Sequence, residues 1–241
     1  MANWVSHLII ADRLLEKLPR LRRREFCVGS IAPDCNREAP DGKDFIPPRA
    51  VTHWMRGEKK CAADARIFCE EYILARIDRI GTGEELSFLL GYYAHLIADA
   101  ELQRTMTDEQ RVAAVWKRAK EIPELREKAA GLDESWESFK RLVPKDERNK
   151  DFFVIEREYL DTHGASGYFT EIRGLAHFPD YIDYLPENAI PEKIKRMYYI
   201  PSAEQGRYPF VAISREEYSD YLDRAEAYSL QAIRPLAETA L

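Results

Sequence analysis

The residues with chemistry to offer are few. Five histidines are present: His7, His53, His95, His163 and His177. His95 and Asp99 stand four apart in FLLGYYAHLIADA, a segment that is apolar on nearly every side. On a helix that spacing puts both side chains on one face, one turn apart. A buried ionised carboxylate costs several kcal/mol unless it is paired. His95 and Asp99 therefore either satisfy each other and nearby backbone groups or share a metal. At the same spacing the other four histidines are followed by Ala11, Gly57, Gly167 and Tyr181. His7 lies on one stripe with Ala11, Leu14 and Leu18 and so faces inward. Two inward histidines on separate helices, with Asp34 and His53 bounding a proline-rich loop, form a convergent nitrogen and oxygen set. Such donors suit zinc, with bonds of about 2.0–2.2 Å. Taken singly, each histidine reads more plainly as a satisfied core residue.

The elements that must position these residues are helical. Apolar spacing of three and four predicts a helix from Trp4 to Leu18 with Asn3 as N-cap, and a second over about Arg22–Ile31 that stops before Pro33. An irregular stretch, Asp34–Thr52, follows with Pro40, Asp41-Gly42, Pro47 and Pro48; loops this long are often functional. Helix is expected over Arg56–Ile80 and again over Glu84–Gln103, the latter central and buried all round. Further helices are expected over Asp108–Glu121, Glu124–Ala130, Glu134–Leu142 and Glu147–His163, with a shorter one over Gly167–Ala176. Prolines punctuate Phe178–Ile213, where YYIP and YPFVAI read as a small hairpin. Ser214 and Glu217 form a capping box for a last helix to about Ala237. The expected architecture is one all-α metal-binding domain over 1–241, a multi-helix bundle with a buried central helix and long irregular loops.

Composition narrows the classes. The chain has 241 residues, 45% hydrophobic and 32% charged, which is a globular composition. A net charge of −6 gives no reason to expect a nucleic-acid partner. No apolar run is long enough to span a bilayer. The opening MANWVSHLIIADRLLEKL lacks the basic stretch and cleavage site of a secretory signal, so a cytoplasmic protein is expected. Cys27, Cys35, Cys61 and Cys69 include no C-x-x-C pair and read as reduced core residues; Cys61 and Cys69, two helical turns apart, are too distant for a disulfide.

Four pieces in order resemble the bacterial zinc-dependent phospholipase C family. They are Asn3-Trp4-Val5-Ser6-His7, the G-x-x-x-P-D stretch from Gly29 to Asp34, Thr52-His53, and the L-G-x-x-x-H-x-x-x-D stretch from Leu90 to Asp99. The resemblance covers roughly the first 105 residues. It implies a helical bundle with metal ligands on facing helices. Carried over, Asp34, His53, His95 and Asp99 form one metal site, and Asp99 bridges to a second ion held partly by His7. The family's processed N-terminal amine does not transfer, because Met1 precedes an internal Trp4. Its further histidines and H-x-x-x-E pair after the central helix are absent from ELQRTMTDEQRVAAVWKRAKE. His163 or His177, helped by Glu158 or Asp161, are the substitutes on offer, though each also reads as a helix-ending residue.

The expected function is a metal-dependent phosphodiesterase with one or two zinc ions, manganese or iron being possible alternatives. Asp34, on a loop, is the candidate for both ligand and proton acceptor. Arg37, Lys43 and Arg49 share that loop and can attract an anionic substrate, either a small-molecule or a lipid phosphoester. The main competing expectation is a non-enzymatic helical scaffold with a structural metal or none. An HD-type phosphohydrolase is disfavoured because no histidine is followed directly by aspartate. Nothing in the sequence speaks to oligomeric state.

Overall fold

The computed structural model describes residues 3–39, 44–56 and 63–240. The fold is all-α. Among the described residues the sole sheet is a two-stranded antiparallel ribbon, β1 (Arg37–Glu38) and β2 (Phe45–Ile46), with Arg37 opposite Ile46. The helices are α1 (Trp4–Lys17), α2 (Arg23–Gly29), α3 (Arg49–Thr52), α4 (Ala65–Ile67), α5 (Gly83–Thr107), α6 (Glu109–Glu121), α7 (Pro123–Lys128), α8 (Trp136–Leu142), α9 (Lys145–Thr162), α10 (Ala189–Met197) and α11 (Arg215–Ala240). A 3₁₀ turn, Ala32–Asp34, follows α2, so Asp34 sits on a helical turn and not on a free loop.

The chain divides into two compact units. The first comprises Met1–Ala100, Ala165–Tyr199 and Arg224–Leu241; the second comprises Glu101–Gly164 and Ile200–Asp223.

In the first unit α5 is the axis, and every residue from Leu86 to Ala100 is buried. This is the pattern of a helix covered on all sides. Its crossing with α2 depends on two glycines. A Cβ on Gly29 would lie 2.1 Å from the Phe88 carbonyl oxygen, and one on Gly91 would lie 2.2 Å from the Phe26 carbonyl oxygen. Each glycine therefore admits the other helix's backbone to a distance no side chain allows. These are the glycines of the two motifs that carry Asp34 and His95. α1 buries Leu8, Ala11 and Leu14 completely. Glu226 of α11 fastens its far side through Lys17 and Arg13. Beside α5, Phe68 stacks on Tyr92 at 4.8 Å.

The second unit has its own core, in which Val115, Trp116, Ala119, Leu125 and Phe139 are fully buried. The Asp151 carboxylate accepts the backbone N–H groups of Phe210 (2.6 Å) and Ala212 (3.2 Å). The capping box forms as expected: Ser214 Oγ accepts from Glu217 N at 3.1 Å, and Glu217 Oε2 accepts from Ser214 N at 2.9 Å.

Four expectations are corrected. The helix over Arg56–Ile80 is an irregular run in which α4 passes into a π-helical segment, Phe68–Ile73, and a 3₁₀ segment, Leu74–Arg79. Residues 57–62, with Cys61, lie outside the described residues. YYIP and YPFVAI form no hairpin; residues 198–213 carry no strand, and α10 precedes them. Pro191 reads as a breaker, yet it lies in the first turn of α10, where its missing N–H breaks no helical bond. The irregular Asp34–Thr52 stretch contains a ribbon and a short helix, α3; Pro40, Asp41, Gly42 and Lys43 lie outside the described residues.

Candidate metal centre

Three short elements and one long helix deliver the five expected residues to one place in the first unit. α1 brings His7, the turn after α2 brings Asp34, His53 follows α3, and α5 brings His95 and Asp99. His53 Nε2 lies 3.3 Å from His95 Nε2, 3.4 Å from Asp34 Oδ1 and 3.5 Å from Asp99 Oδ2. His7 Nε2 lies 3.6 Å from Asp99 Oδ1, and His95 Nε2 lies 4.0 Å from Asp99 Oδ2. Two donors bound at 2.0–2.1 Å to one tetrahedral ion are about 3.3 Å apart. The shorter separations match those between ligands of a common ion.

The hydrogen bonds around the ring point the same way. His95 Nδ1 faces the Ser30 carbonyl at 2.9 Å, so Nδ1 carries the proton and Nε2 keeps its lone pair. The α2–α5 glycine contact brings that carbonyl within reach. His53 Nδ1 is 2.9 Å from Thr52 Oγ1, and the same hydroxyl is 3.3 Å from the Arg49 carbonyl. With the hydroxyl donating to that carbonyl, His53 Nδ1 is the donor and its Nε2 lone pair faces that of His95. In that tautomer a cation between the two nitrogens, 3.3 Å apart, would satisfy both lone pairs; in the other, His53 Nε2 donates toward Asp34 Oδ1 at 3.4 Å. Outer-sphere partners that fix the tautomer of a ligating imidazole in this way are general at metal sites. Tyr92 Oη donates to the Thr52 carbonyl and steadies the same turn. The next residue, Trp54, takes the left-handed conformation (φ 52°), and its indole N–H donates to Tyr184 Oη at 3.0 Å.

His7 provides an independent sign. Its ring stacks on His95 with centroids 3.7 Å apart and planes 10° from parallel. Neither of its ring nitrogens has a hydrogen-bond partner among the described residues, although both are buried. An unsatisfied buried polar atom is costly and needs an explanation. Burial lowers the pKa of both stacked rings, that of His95 to about 3, so both are neutral at pH 7. Burial alone would raise the two carboxyls. The imidazoles outweigh it and hold Asp34 and Asp99 below the ordinary carboxylate range, so both are ionised. The Arg49 guanidinium meets them at 2.6 Å from Asp99 Oδ2 and 3.7 Å from Asp34 Oδ1.

The donors separate into two triads that share His95: His7, His95 and Asp99, and Asp34, His53 and His95. One imidazole nitrogen has one lone pair, so His95 Nε2 can serve one ion only. Asp34 is the most accessible of the five, its side chain 15% exposed against 4% or less for the others.

His163 and His177 are elsewhere. Both are exposed: His163 ends α9 stacked on Tyr159, and the His177 carbonyl accepts from Arg24. Glu158 pairs with Arg215, and Asp161 pairs with Arg157. Cys27 and Cys35 are buried free thiols, as expected, and Cys69 is half-buried and free. Sequence reasoning placed Arg49 among loop cations and missed its tie to Asp99 and Asp34. It missed Thr52 and Ser30 as outer partners, although Thr52 directly precedes His53.

Comparison with known proteins adds one finding. Residues 6–100 match the sequence model of the zinc dependent phospholipase C family. That span opens one residue before His7 and closes one after Asp99, so it encloses all five donors. The likeness to zinc dependent phospholipase C stops there, with the whole second unit and the Ala165–Tyr199 and Arg224–Leu241 stretches of the first beyond it. No curated protein and no solved structure gives a significant match to the chain. No helix among the described residues is long and apolar enough to cross a membrane.

Proposed function

We propose that the chain is a metal-dependent phosphoester hydrolase of the phospholipase C type, with Asp34, His53, His95 and Asp99 as ligands and His7 as a further donor beside Asp99. The observation that carries this reading is the set of donor separations near 3.3–3.6 Å among three imidazoles and two carboxylates. A divalent ion held there lowers the pKa of water toward neutrality and offsets charge on a phosphoryl group. Zinc fits the donor set best; manganese and iron accept the same donors.

Asp34 is the proton acceptor in this reading. It is ionised, borders the opening and sits beside His53 Nε2. Water adds to phosphorus as its proton passes to Asp34, the ester P–O bond breaks, and the leaving oxygen is protonated in turn. His53 and His95 keep their orientation through Thr52 and the Ser30 carbonyl. The substrate is a phosphodiester, either soluble or at a lipid surface.

Protein purified without a chelating tag is expected to hold stoichiometric metal and to hydrolyse a chromogenic phosphodiester at a rate abolished by chelator. A metal-free preparation, or activity indifferent to chelator, refutes the reading. Bound metal with no hydrolysis of any phosphoester favours instead a helical scaffold whose ion is closed off by protein.

A further inference from the structure

Arg49 stands where the centre meets solvent. Its side chain is 34% exposed, against 15% for Asp34 and 4% or less for the other four donors. It lies one helical turn before His53 on α3, so the same short element aims both. Its guanidinium makes one hydrogen bond among the described residues, from Nη2 to Asp99, while Nη1 lies 3.7 Å from Asp34 Oδ1, an ion pair beyond hydrogen-bond distance. The two other cations of the same stretch do not share this place. Arg37 is engaged by Glu192 at 2.9 Å, and Lys43 lies outside the described residues.

We propose that Arg49 is the oxyanion-binding group of the site, a guanidinium that turns from Asp99 and Asp34 to a phosphoryl oxygen of the incoming ester. The inference rests on the hydrolase reading above and adds the residue that recognises the substrate anion. The carboxylate oxygens that Arg49 approaches are the same two that face the His53 Nε2 lone pair. Once their charge is committed to an ion, the guanidinium is left at the opening without a full counter-charge. Its planar fork matches two oxygens of a phosphoryl group, a geometry that lysine cannot reproduce. In ligand-free protein the same arginine offsets part of the carboxylate charge.

The test uses zinc-loaded protein, with inorganic phosphate as the titrant in a calorimeter. Arg49→Gln is expected to bind zinc with wild-type stoichiometry and an affinity equal to or above wild type. Its dissociation constant for phosphate is expected to rise about tenfold or more, and that of Arg49→Lys by less. Arg49→Lys also decides the matter if Arg49→Gln fails to fold. Unchanged phosphate affinity in zinc-loaded variants overturns the proposal. So does loss of zinc from Arg49→Gln, which makes the arginine a brace for the ligands. Wild-type protein that takes up no zinc is a distinct result: it refutes the metal-centre reading and the proposal with it.

Discussion

His95 has the least freedom of the five donors. One nitrogen is committed to the Ser30 carbonyl and the other to the cluster, while its face is covered by His7. His95→Ala removes a donor and leaves a buried carbonyl without its partner. Bound metal is expected to fall at least tenfold by elemental analysis, with a stability loss of about 1–3 kcal/mol in urea. Asp99→Ala should lower metal content similarly, since its two oxygens face both His7 and His53. Thr52→Val changes no donor. It deprives His53 Nδ1 of its partner and is expected to weaken metal affinity about 10–100-fold in a chelator competition, with the fold intact by circular dichroism.

At the scale of elements, the α2–α5 contact is the tightest constraint on the site. Gly29→Ala or Gly91→Ala pushes a methyl group into backbone on the facing helix. Each is expected to cost about 3 kcal/mol or more and to reduce metal affinity, because α2 leads directly to Ser30 and Asp34. Either variant with wild-type melting and metal affinity would show that the crossing is looser than drawn. The second unit offers a separate test by pH. Burial raises the Asp151 pKa to about 6 against an ordinary 3.8, despite the backbone N–H groups it accepts. The folded state therefore holds this proton more tightly than the unfolded state, and the group's contribution to stability falls as pH rises from about 4 to 6. Relative to Asp151→Asn, the wild type is expected to lose about 2–3 kcal/mol across that window in urea titrations.

Much of this level was legible in the sequence. α1, α5 and the Ser214–Glu217 box follow from apolar spacing and capping chemistry, which are local. The convergence of His7, His53, His95, Asp34 and Asp99 was legible through the inward stripe of His7, the His95–Asp99 pair in an apolar helix, and the resemblance of four motifs to the zinc-dependent phospholipase C family. α3 was hidden because one helical turn has no periodicity to detect and two prolines precede it. α10 was hidden because Pro191 reads alike as a helix stop and as a first-turn residue. Arg49 reads as a solvated loop cation until the tertiary fold shows which carboxylates it meets.

For the molecule as a whole, donors from α1, the Asp34 turn, α3 and α5 join distant stretches of one unit, so an ion there is coupled to folding. At a hundredfold excess over its dissociation constant, a ligand specific for the folded state adds about 2.7 kcal/mol. Chelation is expected to lower the melting temperature by about 5–10 °C in calorimetry, and re-addition of zinc to restore it. A melting curve blind to chelator would deny that linkage.

The first unit is also discontinuous: its third stretch, Arg224–Leu241, follows the second unit along the chain. That stretch supplies Glu226, which grips Lys17 and Arg13 on the helix bearing His7. A nascent chain halted before Arg224 already contains all five donors but lacks the clasp on its first helix. The helix bearing His7 is thus fastened only after the whole of the second unit has been synthesised.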